Sequence, residues 1–250
     1  KSADGRLRSA GKKTAGEKPQ PRTLDSALEI LPNALLALIS VAGKYAADEA
    51  MRALERGLHV MIFSDNVSLE REIELKRFAH EKGLLVMGPD CGTAIINGVP
   101  LAFANAVSSG DIGIVAAAGT GLQEVSSLVS NLGGGISQAI GTGGRDVKEA
   151  VGGLMFLDAM EAIVADQKTR VIVLISKPPH PSVAKRILDC AKKLKKPVVT
   201  HFVGAKEGSQ AQTLEEAAML AVGLSSGHTV ESVRKKISDQ NTEIRMEASK

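Results

Sequence analysis

Aromatic side chains are nearly missing from this chain: five Phe, one Tyr and no Trp among 250 residues. The core must therefore be built from aliphatic side chains, and a platform for stacking single-stranded nucleic acid, which needs exposed rings, is excluded. Cysteine is scarce as well. Two residues, Cys91 and Cys190, do not make a disulfide framework, and the chain reads as one from a reducing, cytoplasmic setting. No apolar run approaches the roughly 18 residues of a membrane span, and no apolar segment follows the basic N-terminus as a signal peptide would require. The P-loop pattern G-x-x-x-x-G-K-[ST], the nucleophile elbow G-x-S-x-G and the dinucleotide fingerprint G-x-G-x-x-G are all lacking. The five histidines (His59, His80, His180, His201, His228) have no metal-ligand spacing, so no metal is expected. Of these His180, between two prolines, is the only candidate for a functional role.

The net charge of +3 is unevenly held. Residues 1–22 carry seven Lys or Arg against two acids, whereas the other 228 residues carry 24 basic and 26 acidic groups. A basic nucleic-acid-binding body is excluded, and residues 1–22 read as a disordered, solvated leader. The first residue is not Met, which suggests a fragment or a processed chain.

From residue 23 onward, short apolar runs alternate with amphipathic stretches of helical length. The runs are Leu35–Val41, His59–Phe63, Leu84–Met87, Ile112–Ala116, Ile136–Ile140, Val171–Ile175 and Val198–Val203. Between them, Ala46, Ala50, Met51 and Leu54 recur at helical spacing, as do Leu69, Ile73 and Phe78. Further on, the sets Leu122, Val125, Leu128, Val129, Leu132 and Val183, Ile187, Leu188, Ala191, Leu194 do the same. Strands apolar on both faces and joined by helices predict an α/β fold with a parallel sheet covered on both sides. Helix punctuation agrees: Ser68 and Thr213 stand at N-cap positions, the latter with Glu216 at capping-box spacing, and Gly57, Gly83 and Gly133 stand at helix ends. The rhythm breaks at Asn97-Gly98-Val99-Pro100, which places a boundary between residues 95 and 110. Residues 23–107 then form a first half, 108–222 a second, and 223–250 a linker with a short polar helix over Val230–Ile237.

In an open parallel sheet, ligands bind where the strands end. The segments after the runs are rich in glycine: Gly88-Pro89-Asp90-Cys91-Gly92, Ala118-Gly119-Thr120-Gly121, Gly141-Thr142-Gly143-Gly144-Arg145 and Ser176-Lys177-Pro178-Pro179. Ala118–Gly121 leads into a helix expected near Leu122, and a helix start with small residues exposes amides to an anion. Gly119, Thr120, Gly121, Gly141, Thr142, Gly143 and Gly144 are thus candidate phosphate or substrate ligands. Arg145 and Lys177 add positive charge on the same edge. Asp90 and Cys91 are further possibilities, although a small buried thiol without a neighbouring base is the simpler reading of Cys91. Cys190 reads as helix packing.

These loops resemble successive motifs of the superfamily of succinyl-CoA synthetase α-subunits and ADP-forming acyl-CoA synthetases. There they read G-P-N-C-x-G, G-x-x-S-x-S-G-T and G-x-G-G-D. Closer still is the resemblance to the FdrA family, through Leu35–Gly43, Phe63–Val67, Glu81–Met87 and Ser176–Pro179. The resemblance spans residues 23–222. It implies a truncated Rossmann-like, CoA-binding-type half over 23–107, followed by a flavodoxin-like ligase half over 108–222. It also implies CoA as a possible cofactor, an oligomer with partner subunits, and a helix N-terminus at Gly119-Thr120-Gly121 that binds phosphate.

The departures from the pattern carry equal weight. The superfamily's phosphohistidine lies in a G-H-A-G loop; the corresponding stretch here, Gly204-Ala205-Lys206-Glu207-Gly208-Ser209-Gln210, has no His. The glutamate expected near Ser176-Lys177 is replaced, and the serines before the Gly-Thr pair are Ala116, Ala117 and Ala118. A phosphohistidine relay is not expected. What the resemblance implies is a protein handling a small carboxylate and a phosphate or acyl phosphate, with no nucleic-acid or membrane partner. One alternative is a subunit of an oxamate or oxalurate carbamoyltransferase using carbamoyl phosphate, as in allantoin catabolism. Another is a non-catalytic binding or assembly subunit.

Overall fold

The computed structural model describes residues 21–204 and 210–248, with side chains described to residue 239. Most of the expected leader, and Ala205–Ser209 of the loop compared with the phosphohistidine motif, lie outside the described residues. The chain divides into two compact units, residues 1–34 and 35–250. The first contains α1 (Leu24–Ile30), whose N-cap Thr23 and Ser26 bond reciprocally in a capping box.

Residues 35–250 hold two sheets. The first is parallel, in the order β1-β2-β3, from β1 (Leu36–Ile39), β2 (His59–Ile62) and β3 (Val86–Met87). Two helices make its crossovers, α2 (Gly43–Glu55) and α3 (Leu69–Lys82), the latter capped by Ser68 and ended by Gly83 in the left-handed conformation. The second sheet has six strands, in the order β5-β4-β7-β6-β8-β9. Its parallel part comprises β6 (Ser109–Ala117), β7 (Ile136–Gly141), β8 (Val171–Ser176) and β9 (Val198–Phe202). In spatial order this part runs second, first, third, fourth, the flavodoxin-like arrangement.

The parallel strands are apolar on both sides because both sides are covered. Ile112, Ile114, Val173 and Ile175 pack with α4 (Gly119–Asn131) and α7 (Leu214–Ser225). Val115, Ile172 and Leu174 face the other way, with α5 (Leu154–Ala165) and α6 (Pro181–Ala191). The connections β6–α4–β7 and β7–α5–β8 therefore leave on opposite faces, so the ends of β6 and β8 part at a topological switch point. The last helix, α8, runs over Val230–Ala248, well beyond the Val230–Ile237 expected, and buries Val233.

Three local expectations differ from the structure. The turn signal at residues 97–100 closes a hairpin, β4 (Thr93–Ile96) with β5 (Val99–Ala102), and β4 joins the second sheet by pairing Ile95 with Ala139. The two turn residues Asn97 and Gly98 both have positive φ, 52° and 78°, as a tight hairpin requires. The change of sheet consequently falls at residues 88–92. Second, the buried stripe of α3 is Glu72, Leu75, Lys76 and Ala79, not Leu69, Ile73 and Phe78. Apolar spacing misleads here because an acid and a base on this helix, Glu72 and Lys76, are fully buried and paired with each other. Third, Cys190 is exposed, since Val183, Ile187 and Ala191 form the buried face of α6.

At α7, Thr213 Oγ1 accepts from Glu216 N at 3.0 Å, while Glu216 Oε2 accepts from Gln212 N at 2.7 Å, one residue before the cap. Thr213→Ala should lower the unfolding free energy by about 1 kcal/mol in urea titration, and a change below about 0.3 kcal/mol would show that the cap contributes nothing.

Candidate functional site

Strand register brings three of the expected loops together. Ala117 pairs with Ser176 and Ala116 with Gly141, so the residues that follow β6, β7 and β8 emerge side by side at one rim. α4 begins at Gly119, three residues earlier than expected, and no side chain caps it. The amides of Gly119, Thr120 and Gly121 are thus left for solvent or a ligand. Gly121 is buried because the helix start presses onto β8: a Cβ there would stand 2.9 Å from Ile175 Cγ2. Gly119 faces open space.

The turn after β7 is held from behind. Thr142 N donates to Ala116 O at 2.8 Å, and its carbonyl accepts from Lys76 Nζ at 2.9 Å. Gly143 has φ +84°, and a Cβ on it would lie 2.7 Å from Pro89 O, so the turn requires glycine there. Gly143 and Gly144 amides have no hydrogen-bond partner among the described residues. Lys177, at the end of β8, is exposed, and its Nζ lies 3.6 Å from where a side chain on Gly144 would begin. No carboxylate pairs with Lys177 among the described residues. One ammonium and two sets of free amides therefore share the rim at the switch point.

Behind this rim lies a charge network that periodicity does not show. Lys76 Nζ, fully buried, bonds Glu72 Oε1 at 2.8 Å, Asp146 Oδ1 at 2.9 Å and the Thr142 carbonyl. Asp146 also caps α5, accepting from Phe156 N at 2.8 Å and Met155 N at 3.4 Å. Arg145 Nε stands 2.7 Å from Glu72 Oε2, an ion-pair distance although the N–H is not aimed at the oxygen. Its NH2 donates to Val67 O at 2.8 Å. Two cations and two carboxylates balance. The guanidinium expected to meet a ligand is thus already committed to Glu72 and Val67, and Lys177 is the cation left at the rim.

Cys91, Asp90 and His180 make contacts of their own. Cys91 Sγ donates to Gly141 O at 3.3 Å, and burial pushes its thiol up to about 11. Asp90 is exposed with φ 56°, and its amide and that of Cys91 bond Ser64 O and Ile62 O, stitching the loop to the end of β2. The His180 ring meets Ser182 Oγ at 2.8 Å and lies 3.7 Å from Glu149. His59 Nδ1 accepts from Leu85 N at 2.9 Å, and burial lowers its affinity for a proton. Among the described residues, no group of three or more His, Cys, Asp or Glu is arranged to hold a metal ion, and no helix is long and apolar enough to cross a membrane.

Comparison with known proteins bears on this geometry. A family model described as CoA binding domain matches residues 107–204, the stretch from the approach to β6 through the end of β9. The chain is 55% identical over 210 residues to YahF of Escherichia coli K12, a protein described as uncharacterized, covering 81% of this chain and 41% of YahF. It is 25% identical over 176 residues to the succinate–CoA ligase [ADP-forming] subunit alpha 1 of Archaeoglobus fulgidus, covering 69% of this chain and 59% of that one. It is 27% identical over 202 residues to the malate–CoA ligase subunit alpha of Methylorubrum extorquens, covering 78% and 67%. The chain thus spans less than half of YahF and about three fifths of the Archaeoglobus subunit. In fold, it is similar to an ATP citrate lyase from Methanothrix soehngenii (TM-score 0.64, 17% identity, 88% of this chain and 41% of that chain). It is also similar to the dinucleotide-forming acetyl-coenzyme A synthetase 1 of Ca. Korarchaeum cryptofilum (TM-score 0.60, 20% identity, 76% and 48%). The fold is that of CoA-binding acyl-CoA synthetases and ATP citrate lyases, and the sequence matches support the succinyl-CoA ligase α-like, CoA-binding superfamily.

The two thiols should differ sharply in reactivity. With Ellman's reagent at pH 8, the native chain should release one equivalent from exposed Cys190 and the second only on unfolding; rapid release of two would contradict the buried, protonated Cys91.

Proposed function

We propose that the rim formed by the start of α4, the Gly143-Gly144 turn and Lys177 binds the phosphate group of a small ligand. On this reading the chain is an FdrA-like, α-type component of an acyl-CoA ligase-like enzyme that acts on a small carboxylate and a phosphate or acyl phosphate with partner subunits. The observation that carries the proposal is the convergence of free amides and one unpaired ammonium at the β6/β8 switch point, where α/β folds place ligands. The donor set fits phosphate oxygens, which CoA and acyl phosphates both carry; CoA, when bound, supplies a thiol to form a thioester. Gly119, Thr120, Gly121, Gly143, Gly144 and Lys177 would hold such a group. Gly141, Thr142 and Arg145 would shape the turn from behind.

A second reading rests on the absence of a covalent carrier: the sequence Gly204–Gln210 has no His, and Cys91 is a buried, protonated thiol. Carbamoyl phosphate is already an activated anhydride, and its transfer to oxamate or oxalurate, as in allantoin catabolism, needs an oxyanion and phosphate cradle rather than a relay.

Isothermal calorimetry with inorganic phosphate, carbamoyl phosphate, oxamate and CoA tests both readings. Phosphate-type ligands should bind, and Lys177→Ala should weaken them about tenfold, or about 1.4 kcal/mol, without moving Tm. Unchanged affinity in that variant would remove Lys177 from the site. CoA binding with indifference to phosphate and carbamoyl phosphate would defeat the carbamoyl reading.

A further inference from the structure

At the other end of the sheet, away from the glycine rim, the chain concentrates cations. Lys192, Lys193, Lys195 and Lys196 stand within five residues, at the end of α6 and the turn into β9. Cations near a helix C-terminus are ordinarily explained by the helix dipole, and some of these are. Lys196 Nζ donates to Ile163 O at 3.3 Å and Asp166 O at 2.7 Å. Asp189, the acid whose carboxyl feels Lys192 and Lys193, is already paired with Lys185 at 2.5 Å. Lys192 and Lys195 remain exposed and without a carboxylate partner among the described residues.

These lysines border a cavity of about 700 Å³ whose lining includes Leu188, Leu194 and Val198 and, among the described residues, no acidic one. A second recess of about 320 Å³ lies beside it and shares Lys195, Lys196 and Pro197 in its lining, so the two form one grooved surface. One wall is β9, the end strand of its sheet, bonded to β8 alone. Ile172 N donates to Pro197 O, so by strand alternation the peptide groups of Val198 face away from β8. That outer edge already receives extended chain: Gln210 N and Ala211 N both donate to Thr200 O, at 2.9 and 3.0 Å.

We infer that this groove is a docking site for an extended, acidic segment of a partner polypeptide, its apolar side chains on Leu188 and Leu194 and its carboxylates at Lys192 and Lys195. The charge carries the choice of partner: apolar floor, cationic border, no acid among the described lining residues, and an end strand suited to strand addition. The outward-facing peptide groups of Val198 on an end strand favour an extended chain over a compact ligand. The inference stands apart from the phosphate reading, because the groove opens at the opposite ends of the strands.

The test is fluorescence anisotropy on the full chain, with a rhodamine-labelled decapeptide alternating Glu and Val and its counterpart alternating Lys and Val. The acidic peptide should bind at least about tenfold more tightly, weaken with added salt, and slow amide exchange at Val198. The double variant Lys192→Glu, Lys195→Glu should lose at least about tenfold in affinity with Tm unchanged, and Lys192→Gln, Lys195→Gln serves if reversal disturbs folding. Equal affinity for the two peptides, or full affinity in a folded double variant, would overturn the inference. So would displacement of the peptide by inorganic pyrophosphate without slowed exchange at Val198, which would make a small anion the occupant.

Discussion

A fully buried ammonium must have its positive charge answered within the protein, and Lys76 does so three times over. Its partners come from α3 (Glu72), from the turn after β7 (Thr142 carbonyl) and from the loop before α5 (Asp146, which accepts from amides of that helix's first turn). Taking charges out of water costs several kcal/mol per ion, so such a cluster persists only where the geometry supplies every contact. It joins the helix of the three-stranded sheet to the loop and helix of the six-stranded one. Removing one member would leave an uncompensated charge in the core, so the turn and the helix start are fixed together.

This constraint gives the rim its form. With Thr142 held by Lys76 and Ala116, and Asp146 turned inward to cap α5, the turn leaves the Gly143 and Gly144 amides without a hydrogen-bond partner among the described residues. Arg145, answered by Glu72 and Val67, supports the turn rather than projecting from it. The uncapped start of α4 and Lys177 complete the cradle, with the Lys177 ammonium unpaired among the described residues. A cradle of amides with one cation suits phosphate, and two of the matched relatives are described as alpha subunits of CoA ligases. The lysine-bordered groove beside β9 offers one place where a partner polypeptide could attach.

Much of the fold is legible in the sequence because its strands are apolar on both faces and stand out as uninterrupted runs. That the loops at Gly119, Gly143 and Lys177 lie side by side is legible too, since each follows an apolar run and parallel strands end at one edge. The Lys76 network was not. Glu72 and Lys76 look like an ordinary surface pair four residues apart, and nothing local tells that Asp146, seventy residues on, will meet them. The one available signal was that Glu72, Leu75, Lys76 and Ala79 share a helical face, a mixed face that apolar counting discards. The pairing of Arg145 with Glu72 is illegible for the same reason, because the two are distant in sequence. The hairpin over residues 93–102 was hidden by its shortness and by Pro100 in its outer strand, and Cys190 by its apolar neighbours in sequence, which turn to the other side of α6.

The most direct measurement is the stability of Lys76→Met, a substitution that keeps the side chain's bulk and removes its charge. Urea unfolding should show a loss of about 3–5 kcal/mol, because Glu72 and Asp146 are left facing each other in the core. A loss below about 1 kcal/mol would contradict the account, since it would mean that the buried ammonium does not hold the two sheets and the rim together.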